Sequence, residues 1–354
     1  MAQLDDLLSQ LKELGGSDLH LASGMAPKIR AQGRIQPLAG QPPVDDGTLR
    51  GWLAELAPAR SWQEYESTND VDFAYGLDGV ARFRANYFVQ ARGAAAVFRI
   101  IPEDIISLED LGLPDAVGGL AKLSEGLVLV TGPTGSGKST TLAAIINEIN
   151  SGDQKHVVTI EDPVEFVHQN RSAVFSHREV GLHTCGFEPA LRSAIRQDAD
   201  VILVGEMRER ETIGLAVTAA EMGMLVFGTL HTNSAAKTID RIIDAFPADE
   251  QNMVRTSLSE SLAGIVSQLL LPTADGQGRC AANEILLKTP GLPNVIRENN
   301  TQMLASIIQS GKALGMQSMD DVLYEYCQQG RITAIDAYMK AADKARFEGL
   351  LPND

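Results

Sequence analysis

Apolar residues recur along this chain in two rhythms, and the change between them divides it. Leu4, Leu7, Leu8, Leu11 and Leu14 are spaced three and four apart, which lines one face of a helix, and Gly15-Gly16 ends it. Short alternating stretches follow at 18–22, 28–34, 71–75, 81–89 and 94–101, bounded by turn residues. They predict strands of one sheet, with helices between them over 48–57 and 62–67. Residues 1–101 are therefore read as an N-terminal α+β domain. The stretch 102–114 begins and ends on proline, has little periodicity and is read as a linker.

From about residue 115 apolar runs appear at 126–131, 156–160, 200–204 and 224–230, alternating with helix-prone segments. Runs of this kind predict strands buried on both faces, as in a mostly parallel sheet with crossover helices. Beyond about 250 the chain reads as largely helical, over 250–271, 293–299, 301–310, 318–328 and 333–343, with an edge strand at 279–287. The expected fold class is α/β, with a second domain over 115–354 that is helical in its C-terminal part.

The net charge of −16 argues against a nucleic-acid motor, which needs a basic track, so no nucleic-acid partner is expected. Cys185, Cys280 and Cys327 are far apart and form no Cys-x-x-Cys pair, so neither a disulfide framework nor a zinc site is read from them. No apolar run approaches the roughly 18 residues that span a bilayer. The opening Met-Ala-Gln-Leu-Asp-Asp is acidic rather than signal-like. The expectation is a cytoplasmic protein that meets a membrane only through a partner.

Gly132-Pro133-Thr134-Gly135-Ser136-Gly137-Lys138-Ser139 is a complete phosphate-binding loop, between the apolar run Gly126–Val130 and the helix-prone stretch that begins at Thr140. Its glycines let backbone N–H groups close around phosphate oxygens, and the helix N-terminus adds partial positive charge there. Lys138 is expected on the β- and γ-phosphates of ATP, and the Ser139 hydroxyl on Mg²⁺. Glu206 follows the run Val201–Val204 and is expected to support Mg²⁺ through water, on a strand beside that of the loop. Glu161 and Glu165, in Ile160-Glu161-Asp162-Pro163-Val164-Glu165, are both candidates to orient or deprotonate attacking water. His231 ends another apolar run and is a candidate sensor of the γ-phosphate. Arg192 and Arg196, four apart on one predicted helix face, and Arg84 and Arg99, in predicted strands, are candidate charge-stabilising arginines.

Together these features resemble the secretion and type IV pilus ATPases, in particular their retraction branch. The resemblance runs from Ser17-Asp18-Leu19-His20-Leu21 and Ala81-Arg82-Phe83-Arg84 through the phosphate-binding loop. It continues through an Asp box at 159–166, a Walker B segment at 201–208 and a His box at 228–235. It implies a PAS-like N-terminal domain and a RecA-like ATPase domain with a helical C-terminal extension. By that resemblance Glu165 is the catalytic base, Glu206 supports Mg²⁺, and His231 contacts the phosphate end of ATP. Arg84, Arg99, Arg192 and Arg196 are its γ-phosphate arginines. It also implies a homo-hexameric ring with nucleotide between domains, acting on an inner-membrane platform protein from the cytoplasmic face. The resemblance implies a motor that retracts the pilus and so drives twitching motility.

Two departures stand out. Met224 replaces a family histidine, and 291–298 matches the family's retraction helix only at Asn294, Ile296, Arg297 and Glu298. Extension ATPases of this group are longer and commonly carry a four-cysteine zinc motif, so the retraction type is expected. Its rivals are an accessory paralogue of the retraction ATPase and a slow nucleotide-dependent assembly module.

Overall fold

The computed structural model describes residues 3–351 except 32 and 103, and divides them into two units. Unit 1 comprises the chain up to Asp104 together with the short segment Asp162–Val167; unit 2 comprises Ile105–Glu161 and the chain from His168 onward.

Unit 1 holds helices α1 (Gln3–Glu13), α2 (Asp46–Leu56) and α3 (Ala59–Thr68). Its strands are β1 (Asp18–Ala22), β2 (Lys28–Ala31), β3 (Arg34–Pro37), β4 (Asp70–Leu77), β5 (Ala81–Gln90) and β6 (Gly93–Ile101). They form one antiparallel sheet in the order β3-β2-β1-β6-β5-β4. Alternation decides its two faces. Leu19, Leu21, Phe83, Ala85, Tyr87, Ala96 and Phe98 point into one core with the leucines of α1 and α2. Asp18, Arg84 and Arg99 fall on the other face, where Arg99 is in register with both Asp18 and Arg84. The single strand expected over 28–34 is a hairpin instead, because Gly33 turns the chain at φ 76°; residue 32 lies outside the described residues.

Unit 2 is built on β7 (Gly126–Thr131), β8 (His156–Glu161), β9 (Val174–Glu179), β10 (Val201–Val204), β11 (Leu225–Leu230), β12 (Leu262–Pro272) and β13 (Arg279–Leu287). Their order is β13-β12-β7-β11-β10-β8-β9, and every pairing is parallel except β12 with β13. Successive residues of the inner strands feed two cores. Leu127, Leu129, Ile202, Val204 and Val226 face one side, and Val128, Val130, Val201, Leu203 and Phe227 the other. That double burial is why these strands are mostly apolar rather than alternating.

The sheet is covered by α4 (Asp115–Leu120), α5 (Lys138–Gly152), α6 (Phe187–Ala194), α7 (Arg210–Glu221), α8 (Ala235–Asp244), α9 (Gln251–Ser261) and α10 (Leu292–Arg297). Then come α11 (Leu304–Ser310), α12 (Met319–Gln328), α13 (Ala334–Lys340) and α14 (Ala345–Glu348), the last three around a small core with Leu271, Tyr326 and Phe347. No helix among the described residues is long and apolar enough to cross a membrane.

A further expectation fails here. The helix expected over 250–271 ends at Ser261, and Leu262–Pro272 is strand β12, paired with β7 on one side and β13 on the other. A continuous apolar run reads alike as a buried helix or a buried strand, and the free edge of β7 decides between them. The short 291–298 stretch does form a helix, α10, whose Arg297 pairs with Glu260 at 2.6 Å.

Candidate functional site

The phosphate-binding loop leaves β7 as a fully buried strand and enters α5 at Lys138. Gly132, Gly135 and Gly137 all have positive φ, at 150°, 78° and 86°. A side chain at Gly132 would meet the Gln268 carbonyl oxygen at 2.2 Å, so both the conformation and the space require glycine. Pro133, Thr134 and Gly135 form an exposed tip, Ser136 is buried, and Ser139 and Thr140 are half-buried in the first turn of α5. That turn supplies backbone N–H groups that lack helical partners, the usual anion-binding feature of a helix start. Lys138 is buried, and its Nζ donates to the carbonyls of Gly132 at 2.9 Å and Pro133 at 3.1 Å. The buried Ser136 Oγ has no protein hydrogen-bond partner, a vacant valence that a phosphate oxygen would fill.

The remaining residues of unit 2 come from the carboxyl ends of neighbouring strands. Glu161 closes β8 and is buried; Glu206 follows β10, and His231 follows β11. The backbone bonds Gly205 N–H to Ile160 O (2.8 Å) and Met207 N–H to Thr229 O (3.0 Å) stitch these ends together. The Thr229 hydroxyl donates to Gly205 O at 2.5 Å. Glu206 Oε1 then lies 2.7 Å from His231 Nε2 and also accepts from Arg208 Nε. A carboxylate only accepts, so Nε2 carries the proton of this bond.

The expected adjacency of the Glu206 strand and the loop strand is not found. β11 lies between β10 and β7, so His231 is the nearer of the two to the loop strand in the sheet order. An apolar-run pattern identifies buried strands but carries no information on their order. For Mg²⁺, a serine hydroxyl and a carboxylate are the hard oxygen donors that this ion takes, usually with waters and phosphates completing the shell. Ser139 and Glu206 fit that set. The described residues hold no cluster of three or more acidic, histidine or cysteine side chains that would form a metal cage of its own.

Glu165 is half-buried in the segment 162–167, which groups with unit 1. Arg84 and Arg99 are also in unit 1. Arg84 Nε is 3.5 Å from Asp72, and Arg99 Nε donates to the buried Asp18 at 2.7 Å. Burial alone would raise the Asp18 carboxyl, but bonds from Ser17 and Arg99 and the Arg99 charge hold it below the ordinary aspartate value.

Arg192 lies on α6, paired with Glu188 at 2.7 Å. Arg196 does not share that helix. Its N–H bonds to Ser193 O, a tight turn that leads to Asp198 at φ 54°, so the expected shared face ends at Ala194. Met224, in place of the family histidine, packs half-buried against the core and its carbonyl accepts from Gly126 N–H.

Two residues that the sequence reading passed over bear on the site. Gln268 of β12 bonds directly to the phosphate-binding loop, and Glu284 of β13 accepts from Ala235 N–H at 2.7 Å, at the start of the helix after His231. The polar pair Ser267-Gln268 inside an apolar run was the available signal. A helix assignment there disconnected it from the loop.

Comparison with known proteins agrees with this architecture. The family model described as "Type II/IV secretion system protein" matches residues 69–342. The chain is 47% identical to the "Type IV pilus retractation ATPase PilT" of Pseudomonas aeruginosa, over 97% of this chain and 99% of that protein. It is 55% identical to a "Twitching motility protein" of Neisseria gonorrhoeae, over 89% of this chain and 84% of the other. A crystal structure of the pilus retraction motor PilT with bound ADP superposes with a TM-score of 0.91 at 43% identity, covering 98% of this chain and 99% of that one. The chain belongs to the type II/IV secretion system protein family.

Proposed function

We propose that this chain is the ATPase motor that retracts a type IV pilus, working as a homo-hexamer on the cytoplasmic side of an inner-membrane platform protein. The observation that carries the reading is the pairing of a formed phosphate-binding loop with the Glu206–His231 couple at the strand ends. It occurs in a chain similar over nearly its whole length to a protein named as a pilus retraction ATPase.

In this reading Lys138 exchanges its two loop carbonyls for β- and γ-phosphate oxygens of ATP, so the charge is already aimed at the site before ligand arrives. Residues 132–140 surround the phosphates, the backbone N–H groups at the start of α5 among them. Ser139 and Glu206 hold Mg²⁺, which neutralises developing phosphate charge when bound. His231 Nε2–H and Arg208 fix the orientation of Glu206. Glu165 takes the proton of the attacking water, with Glu161 as the rival for that role. Arg84, Arg99, Arg192 and Arg196 act as phosphate-facing charges.

The test is a count of surface pili in host cells lacking the gene, complemented with wild type or Lys138→Ala. Retraction predicts excess pili and lost twitching, reversed by wild type and not by the variant. Bald cells would instead make the chain an extension motor, and an unchanged count an accessory one. Phosphate release by purified wild type without any partner separates a motor from a slow assembly module.

A further inference from the structure

Gln268 sits on β12 beneath the phosphate-binding loop and is 3% exposed. Its Nε2 donates to Ser136 O at 2.6 Å, and its Oε1 accepts from the Thr141 hydroxyl of α5 at 2.8 Å. Both partners are buried, and the Thr141 bond orients the amide so that its NH₂ end faces the loop. The backbone around it is shaped to the same residue. A side chain at Gly132 would strike the Gln268 carbonyl oxygen, and one at Gly137 would come within 2.9 Å of its Nε2.

The peptide between Ser136 and Gly137 is the one this contact controls. In a trans peptide the carbonyl and the following N–H point in opposite directions. Holding Ser136 O down against Gln268 therefore aims Gly137 N–H the other way, up into the loop. Gly137 has φ 86°, and glycine also occupies negative φ freely, so nothing in this residue's own backbone preference opposes a flip of that peptide. A flipped peptide would present a carbonyl oxygen to the phosphates, where an N–H is needed.

We propose that Gln268 is a positioning residue for nucleotide binding. It pins the Ser136–Gly137 peptide so that the loop is formed before ligand arrives, with Thr141 holding Gln268 in the productive orientation. The inference rests on nucleotide binding at this loop, not on pilus retraction. It predicts a penalty on affinity, because an unpinned loop must be ordered at the moment of binding.

The test is titration of the intact protein with the fluorescent nucleotide mant-ADP, alongside ATPase kinetics and thermal unfolding without nucleotide. Gln268→Met keeps the shape and removes both hydrogen bonds. It should weaken mant-ADP binding about tenfold, the usual scale for leaving a buried carbonyl unpartnered, and raise KM with little change in kcat. Thr141→Val should weaken binding by a smaller factor, and Thr141→Ser, which keeps the hydroxyl, should restore it. Binding by folded Gln268→Met within twofold of wild type overturns the proposal, as does a loss confined to kcat. If Gln268→Met does not fold, Thr141→Val decides: affinity equal to wild type overturns the proposal. Failure of wild type itself to bind mant-ADP would refute nucleotide binding at the loop, a result separate from any failure of Gln268.

Discussion

His168 provides a stability test that can be worked from the structure. It is 5% exposed at the point where the chain re-enters unit 2 after the 162–167 segment. Its ring stacks on Phe175 at 4.9 Å and 9°, and lies 6.1 Å from the ring of His177. His177 is held between two partners. Its Nδ1 is 2.9 Å from the Thr159 hydroxyl, and its Nε2 accepts from His168 N–H at 3.2 Å. His168 Nδ1 has no partner, so a proton added there would be buried without an acceptor. Burial first, then the neighbouring His177 and Arg171, lower the His168 pKa from 6.5 to about 4.

The direction of the pH effect follows from those two values. Between pH 6.5 and about 4 the unfolded chain binds a proton at His168 and the native one does not. Stability from this group is therefore full above pH 6.5 and is lost as pH falls through that window. At about pH 5 the loss is about 2 kcal/mol relative to pH 8.

The assay is urea unfolding of wild type and His168→Phe at both pH values, followed by far-UV circular dichroism. Both tryptophans, Trp52 and Trp62, lie in unit 1, so their fluorescence reports that unit and serves as an internal control. Phenylalanine keeps the stacking ring and cannot titrate. The variant should be less sensitive to acid than wild type by about 2 kcal/mol, while the tryptophan transition shifts equally in both. Equal acid sensitivity of the two proteins in the circular dichroism transition would refute the reasoning.

Further outcomes are expected for variants of the candidate site and of unit 1. Lys138→Ala and Glu206→Ala should each abolish phosphate release, and His231→Ala should lower kcat by at least tenfold, because Glu206 loses the N–H that orients it; a rate within twofold of wild type for any of the three would contradict the assigned role. Asp18→Asn should destabilise unit 1 by about 2 kcal/mol at neutral pH, since charge-assisted bonds from Ser17 and Arg99 are weakened. The native Asp18 pKa is depressed, so this difference should be present above about pH 4 and close as pH falls below it. Tryptophan fluorescence during urea unfolding measures the Asp18→Asn destabilisation and its pH dependence.

The residues 132–139 and their strand–loop–helix setting were legible from order alone, because backbone closure around phosphate demands glycine at set places. So were β7, β8, β10 and β11 of unit 2, because burial on both faces keeps their runs mostly apolar. The strands of unit 1, apart from the β2–β3 hairpin, were legible from alternation; their antiparallel pairing was not.

Tertiary pairing decided the rest. β12 is a strand because β7 and β13 offer it hydrogen-bonding edges; its own apolar run fits a buried helix equally well. β11 separates β10 from β7, and crossover connections leave no mark of strand order in a local pattern. Arg192 and Arg196, spaced as helical neighbours, part company because the chain tightens into a turn at Ser193. Gln268 acquires its meaning only when residues 132–136 and 268, more than a hundred positions apart, are folded onto each other. Local sequence sets what each segment can bury and how its backbone can bend; which distant partner satisfies its polar groups is settled by the packing of the whole sheet.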